Sequence, residues 1–165
     1  MMTFEDIAKK CSEEFDKPDE RHLYTIGRWH SSLGWIRYHI LELEDVATRT
    51  EREITETEMV YQLSDIAAGA AIMLRSLGVE NTAAAFVDEY AKASTKHPGM
   101  TLDSDKHTDE SRFYALAEEV GEVCAALTYD NKADTGHNSD LISEVTQVGG
   151  LAIAWLMRFD KEDQK

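Results

Sequence analysis

Leu116, Val120, Val123 and Leu127 stand four, three and four residues apart, and Leu141, Val145, Val148, Ala152 and Trp155 repeat that kind of spacing. A helix turns once in about 3.6 residues, so each set lines one face that must be buried against another element. No stretch alternates apolar and polar residues long enough to predict a strand. Two prolines and nine glycines in 165 residues are too few breakers for a sandwich of many turns. The spacing therefore predicts an all-α chain whose helices pair through their apolar stripes.

Punctuation divides the chain. Residues 3–15 predict a short helix capped by Thr3 and ended before Pro18. A long helical pattern covers 19–50, with Gly27 and Gly34 as weak points. Thr55 with Glu58 predicts a capping box for the next helix, and Gly78 predicts its stop. Asn81 predicts the cap of a helix to about Thr95, followed by the loop "KHPGMTLDSDKHTD". Asp109 opens a helix to about Asp130, "NKADTGHN" is a second loop, and Asn138 caps a last helix to about Phe159 before a frayed tail. The length suits one domain over 1–165.

The formal charge of −15 repels nucleic acid and anionic membranes, so neither is expected as a partner. Cys11 and Cys124 form no metal-spaced pair, which fits a reduced, cytoplasmic setting. "MMTFEDIAKKCSEEF" lacks an apolar core, so no signal peptide is expected. No apolar run approaches the roughly 20 residues of a membrane span.

The acidity is locally organised. "LAEEVGEVCAAL" (116–127) sets Glu118, Glu119 and Glu122 on one helical stretch, although like charges three and four apart repel. "LISEVTQVGGLAIAW" (141–155) sets Glu144 and Gln147 three apart. If these two helices pack as antiparallel neighbours, their acidic faces can meet at one level. Three or four oxygens there would suit Mg²⁺ or Mn²⁺, which prefer hard oxygen ligands. A solvated acidic face is the competing explanation.

Glu-Glu-x-x-Glu, a gap, then Glu-x-x-Asp, each half on a helix, is the signature of the MazG-like pyrophosphohydrolases. Over about 96–159 the chain resembles that pattern, including "EEVGEV" and the apolar run after "SEVTQV". The family belongs with the dimeric dUTPases among the all-α nucleoside triphosphate pyrophosphohydrolases. The resemblance implies a four-helix bundle, usually built from two chains, so a homodimer stays open. It implies Mg²⁺-dependent cleavage of a nucleoside or deoxynucleoside triphosphate to the monophosphate and pyrophosphate. It makes Glu119, Glu122 and Glu144 metal ligands, and Glu118 the base or a further ligand. Gln147 stands where the family pattern has Asp; its carboxamide offers a carbonyl oxygen without charge, so weaker metal affinity is expected.

A second copy of the pattern lies in the first half. "LELEDVAT" (41–48) aligns with "EEVGEVCA" (118–125), placing Glu42 on Glu119 and Asp45 on Glu122. "MVYQLSDIAAGAAIML" (59–74) aligns with "LISEVTQVGGLAIAWL" (141–156), placing Gln62 on Glu144 and Asp65 on Gln147. A tandem duplication follows as the expectation: a degenerate helix pair over 19–78 and a MazG-like pair over 96–159, making the four-helix core within one chain. Glu42, Asp45, Gln62 and Asp65 would be the second, degenerate site.

A triphosphate needs cations. Arg112 lies about two turns before Glu119 on the same face, and Lys96, Lys106 and Lys132 sit near loops. Asn131 and Asn138 could read a base edge or simply cap turns. Arg112, Lys132 and Asn131 are the candidates for substrate contact. Trp29, Trp35 and Trp155 fit core positions better than base stacking. "DSDKHTDESRFY" (103–114) fails as a calcium loop, with Thr108 where Gly is required and Tyr114 where Glu is required. His97 and His107 lack zinc-ligand spacing. The expected function is hydrolysis of a nucleoside triphosphate; the alternatives are a non-catalytic nucleotide-binding relative and a scaffold acting through protein contacts.

Overall fold

The computed structural model describes residues 2–13, 29–47, 52–127 and 140–162. These residues form six α-helices and no strand: α1 (Phe4–Glu13), α2 (Trp29–Ala47), α3 (Arg52–Ser76), α4 (Thr82–Lys96), α5 (Asp109–Ala126) and α6 (Leu141–Glu162). Among the described residues the all-α expectation therefore holds. No described helix is long and apolar enough to cross a membrane.

Local chemistry sets the helix ends. Thr3 Oγ1 accepts from the Asp6 amide at 3.1 Å while Asp6 Oδ2 accepts from the Thr3 amide at 2.8 Å, a reciprocal cap on α1. Gly78, at φ +93°, ends α3; its amide reaches the Arg75 carbonyl and the Val79 amide reaches that of Leu74, satisfying two orphan carbonyls. Asn81 caps α4 through the Ala84 amide, and Thr108 caps α5 through that of Ser111. Asp140 Oδ1 takes the Ile142 amide at the start of α6; Asn138 lies outside the described residues. Two expectations are corrected. α3 starts at Arg52, so Thr55 is inside the helix and not its cap. "REITETE" holds no breaker and is rich in helix formers, so the helix propagates back past it. α6 continues to Glu162 past the expected end, where Asp160 accepts the Met2 amide at 2.7 Å.

α2 packs on α3, α3 on α6, α6 on α5, and α5 on α2, while α1 and α4 pack together and against α3 and α6. The middle of the molecule is α3 and α6, buried on nearly every side over Ile66–Leu74 and Ala152–Leu156. Alanines at 67, 68, 70 and 71 let the neighbouring backbones approach closely. Trp155 is fully buried, a core residue as expected. Aligned positions of the two halves share burial: Ile36 with Phe113, His39 with Leu116, Leu43 with Val120, Val46 with Val123, Leu63 with Val145, Ile66 with Val148, and Ala70 with Ala152.

One contact places α4. Phe86 is fully buried, worth about 2–3 kcal/mol of transfer free energy, and its ring lies against the backbone of Gly149. A Cβ at 149 would collide with that ring. One turn further along α4, Glu89 lies across Gly150, with Cγ 3.8 Å from where a Cβ would stand.

Candidate metal centre

Glu119 and Glu122 share a face of α5, and Glu144 begins the buried stripe of α6 beside Val145 and Val148. One carboxylate oxygen from each of the three lies within 4.8 Å of the other two. Among the described residues no other three acidic, histidine or cysteine side chains converge in this way. Glu118, one residue along, is exposed and outside the group. Gln147 donates from Nε2 to Glu144 Oε2 at 3.0 Å.

The cluster is electrically unfavourable alone. Burial raises the Glu119 carboxyl to about 7, and the charges of Glu122, Glu144, Glu118 and Glu89 add to the effect. Burial also raises Glu144 to about 7, helped by its hydrogen bond with Glu122 and the charges of Glu122, Asp140 and Glu89. Glu119 Oε2 is buried and has no hydrogen-bond partner. A buried carboxylate oxygen without a donor is costly, and a divalent cation is the kind of partner that removes the cost. The donor set is all oxygen, which fits Mg²⁺ or Mn²⁺ and not a softer metal.

A cavity of about 270 Å³ opens beside the carboxylates, with Glu119 and Gln147 in its lining. Lys92, Lys96 and His97 are in its lining, as are Tyr90, Met100 and Leu151. Glu89 lines it too, 3.6 Å from Lys92 Nζ. Of these, Lys96 and His97 stood out in the sequence; Glu89 and Lys92 did not. Their signal was indirect: Gly149-Gly150 admits α4, and Glu89 is three residues after Phe86, on the same face.

Arg112 is corrected. It is fully buried, and each nitrogen of its guanidinium already donates within the protein, to the Leu102 and Ser104 carbonyls and to Asp109, so it does not face a phosphate from solution. An arginine inside an apolar stripe must find acceptors nearby, and the adjacent loop supplies them. Lys106 reaches toward Gly99, and His107 donates to the Met100 carbonyl at 2.9 Å. Lys132 and Asn131 lie outside the described residues, as does the side chain of Trp29.

The first half does not repeat the cluster. Glu42 and Asp45 are exposed. Gln62 and Asp65 instead face His39, which is almost fully buried in α2. His39 Nδ1 donates to Gln62 Oε1, and Nε2 lies 3.2 Å from Asp65 Oδ2. The ring thus lies between a carboxamide oxygen and a carboxylate oxygen of the next helix. Trp35, Tyr38 and Tyr61 surround it, with ring centroids 4.5, 5.1 and 6.1 Å away. Sequence reasoning missed His39, though a polar residue at the core register between Ile36 and Leu43 was the available signal.

No family model, curated protein or solved structure matches the chain.

Proposed function

We propose that the chain is a MazG-like nucleoside triphosphate pyrophosphohydrolase, a four-helix bundle made from two helix-pair repeats. The observation that carries the reading is the convergence of Glu119, Glu122 and Glu144, with one buried partnerless oxygen, beside a cavity lined by Lys92 and Lys96. The shared burial of aligned positions in the two halves supports the duplication. Glu119, Glu122 and Glu144 would hold Mg²⁺ or Mn²⁺, with Gln147 offering at most a carbonyl oxygen. Bound there, the ion would polarise the phosphates and lower the pKa of a water.

The remaining roles fall to the chain. Lys92 and Lys96 would attract the polyphosphate. Tyr90, Met100 and Leu151 would receive the organic part of the substrate. Glu118, exposed and outside the three-oxygen group, would take the proton of the attacking water. Attack at the α-phosphorus breaks the α–β anhydride, and pyrophosphate leaves with the bonding electron pair.

The test is pyrophosphate release across a panel of nucleoside and deoxynucleoside triphosphates, with Glu122→Ala as control. Release is expected to need Mg²⁺ or Mn²⁺ and to vanish in the variant. No release from any nucleotide with either ion overturns the reading. It would leave a non-catalytic binding protein, the reading that a neutral Gln147 bonded to Glu144 favours.

A further inference from the structure

The segment between α4 and α5 is irregular, yet a residue inside α5 grips it. Arg112 donates from Nε to the Leu102 carbonyl and from Nη2 to the Ser104 carbonyl, each at 2.7 Å. Its Nη1 lies 2.9 Å from Asp109 Oδ1, and the same oxygen accepts from Arg158 Nη1 of α6 at 2.8 Å. One guanidinium thus ties two backbone carbonyls of the segment to α5, and a shared carboxylate ties that assembly to α6.

Burying a guanidinium is unfavourable, and an apolar residue would serve packing alone as well or better. What the planar fork adds is geometry: two acceptors two residues apart are fixed in register, which neither a leucine nor a lysine can do. The gripped segment supplies Met100, Thr101 and Leu102 to the cavity, whose lining also includes Glu119 and Gln147. Glu119 lies about two turns along α5 from Arg112. The same helix therefore carries a carboxylate of the cluster and the anchor of the cavity's other wall. Two further ties agree with this. Tyr90 Oη donates to Asp103 Oδ1 at 3.1 Å, and His107 donates to the Met100 carbonyl.

We propose that Arg112 is a positioning residue that sets the wall formed by Met100, Thr101 and Leu102 at a fixed distance from the carboxylates. In doing so it determines which non-phosphate portion of a ligand the cavity takes. It does not touch the ligand itself. The specificity role rests on the nucleotide reading given above; the grip on the segment does not.

The full chain is compared with Arg112→Lys and Arg112→Met by amide hydrogen exchange, Mn²⁺ affinity, and affinity for two probes. The probes are inorganic pyrophosphate and a panel of α,β-methylene nucleoside triphosphates. In Arg112→Met, exchange over 99–107 should speed at least about tenfold while α5 and α6 keep their protection. Mn²⁺ and pyrophosphate affinity should stay within about twofold, and the nucleotide analogues should weaken about tenfold. Arg112→Lys, which can serve one carbonyl but not both, should fall between. Should Arg112→Met fail to fold, Asp109→Asn loosens the same grip from a half-buried position and should show the same pattern in smaller measure. Unchanged exchange over 99–107 would overturn the proposal, as would equal weakening of pyrophosphate and nucleotide. A wild-type chain that binds neither probe removes the nucleotide reading and the specificity role together. Faster exchange in the variants would then retain Arg112 only as the anchor of the segment.

Discussion

The two helix pairs bury aligned positions alike and treat charge in opposite ways. In α5 and α6, Glu119, Glu122 and Glu144 crowd together. In α2 and α3, the residues aligned with Glu144 and Gln147 are Gln62 and Asp65, and an imidazole from His39 sits between them. The first pair carries an imidazole between its polar residues. The second instead brings three carboxylates together. The difference teaches that aligned positions can be buried alike and still differ in chemistry: the same core position holds His39 in one half and Leu116 in the other.

The strongest way to break the comparison is to strip acids from each half. Glu119→Ala or Glu122→Ala should lower pyrophosphate release by at least about a thousandfold, whereas Glu42→Ala and Asp45→Ala should leave it within about twofold. Equal losses in both sets would show that the first half is part of the working site.

The acidic half of this contrast was legible in the sequence. Apolar spacing gave the helices and the shared face of Glu119 and Glu122, because both depend on neighbours three and four residues away on one helix; Glu144 joined them only on the expectation that the two helices pack as antiparallel neighbours. What stayed hidden depends on contacts between helices. Glu89 and Lys92 reach the site only because Phe86 packs on Gly149, a pairing across 63 residues that no local spacing reveals. Arg112 was read as a phosphate ligand because its register matches that of Glu119; the loop carbonyls that claim it are brought there by the fold. His39 lay in plain view within an apolar stripe, but its meaning needed Gln62 and Asp65 from the next helix.

The next test acts on the imidazole. His39→Leu leaves Gln62 and Asp65 facing an apolar side chain, so the folded state should lose about 1–3 kcal/mol, read as a lower midpoint in urea. Mn²⁺ binding should be unchanged. A variant that keeps full stability would mean that the imidazole is not the partner this half depends on.

Gln147→Asp sharpens the comparison from the other side. A further charge on the cluster should raise Mn²⁺ affinity about tenfold and lower the melting temperature of the metal-free chain. Asp65→Gln, at the aligned position, should leave Mn²⁺ affinity where it was. Calorimetric titration and thermal melts check both.

A last test uses pH. Glu119 and Glu144 are raised in the folded chain to about 7, above the ordinary glutamate value of 4.5. The folded state therefore holds their protons more tightly than the unfolded state does. Their contribution must turn against folding as pH rises from about 4.5 through 7. Against a Glu119→Gln, Glu144→Gln control, the metal-free wild type should lose melting temperature between pH 5 and 8. Ions bind the deprotonated groups, so Mg²⁺ should raise the melting temperature more at pH 8 than at pH 6. A wild type that tracks the control across this range would contradict the assigned shifts.

The packing of Phe86 on Gly149 has a consequence for how such a site can be retuned. The gap between the lysines of α4 and the acids of α5 and α6 is gauged by a missing methyl group. Adding one carbon at position 149 would wedge α4 outward like a shim and carry Glu89, Lys92 and Lys96 with it. The aperture of the cavity is thus adjustable from a residue outside its lining, and a change there would widen it without altering any of the clustered carboxylates.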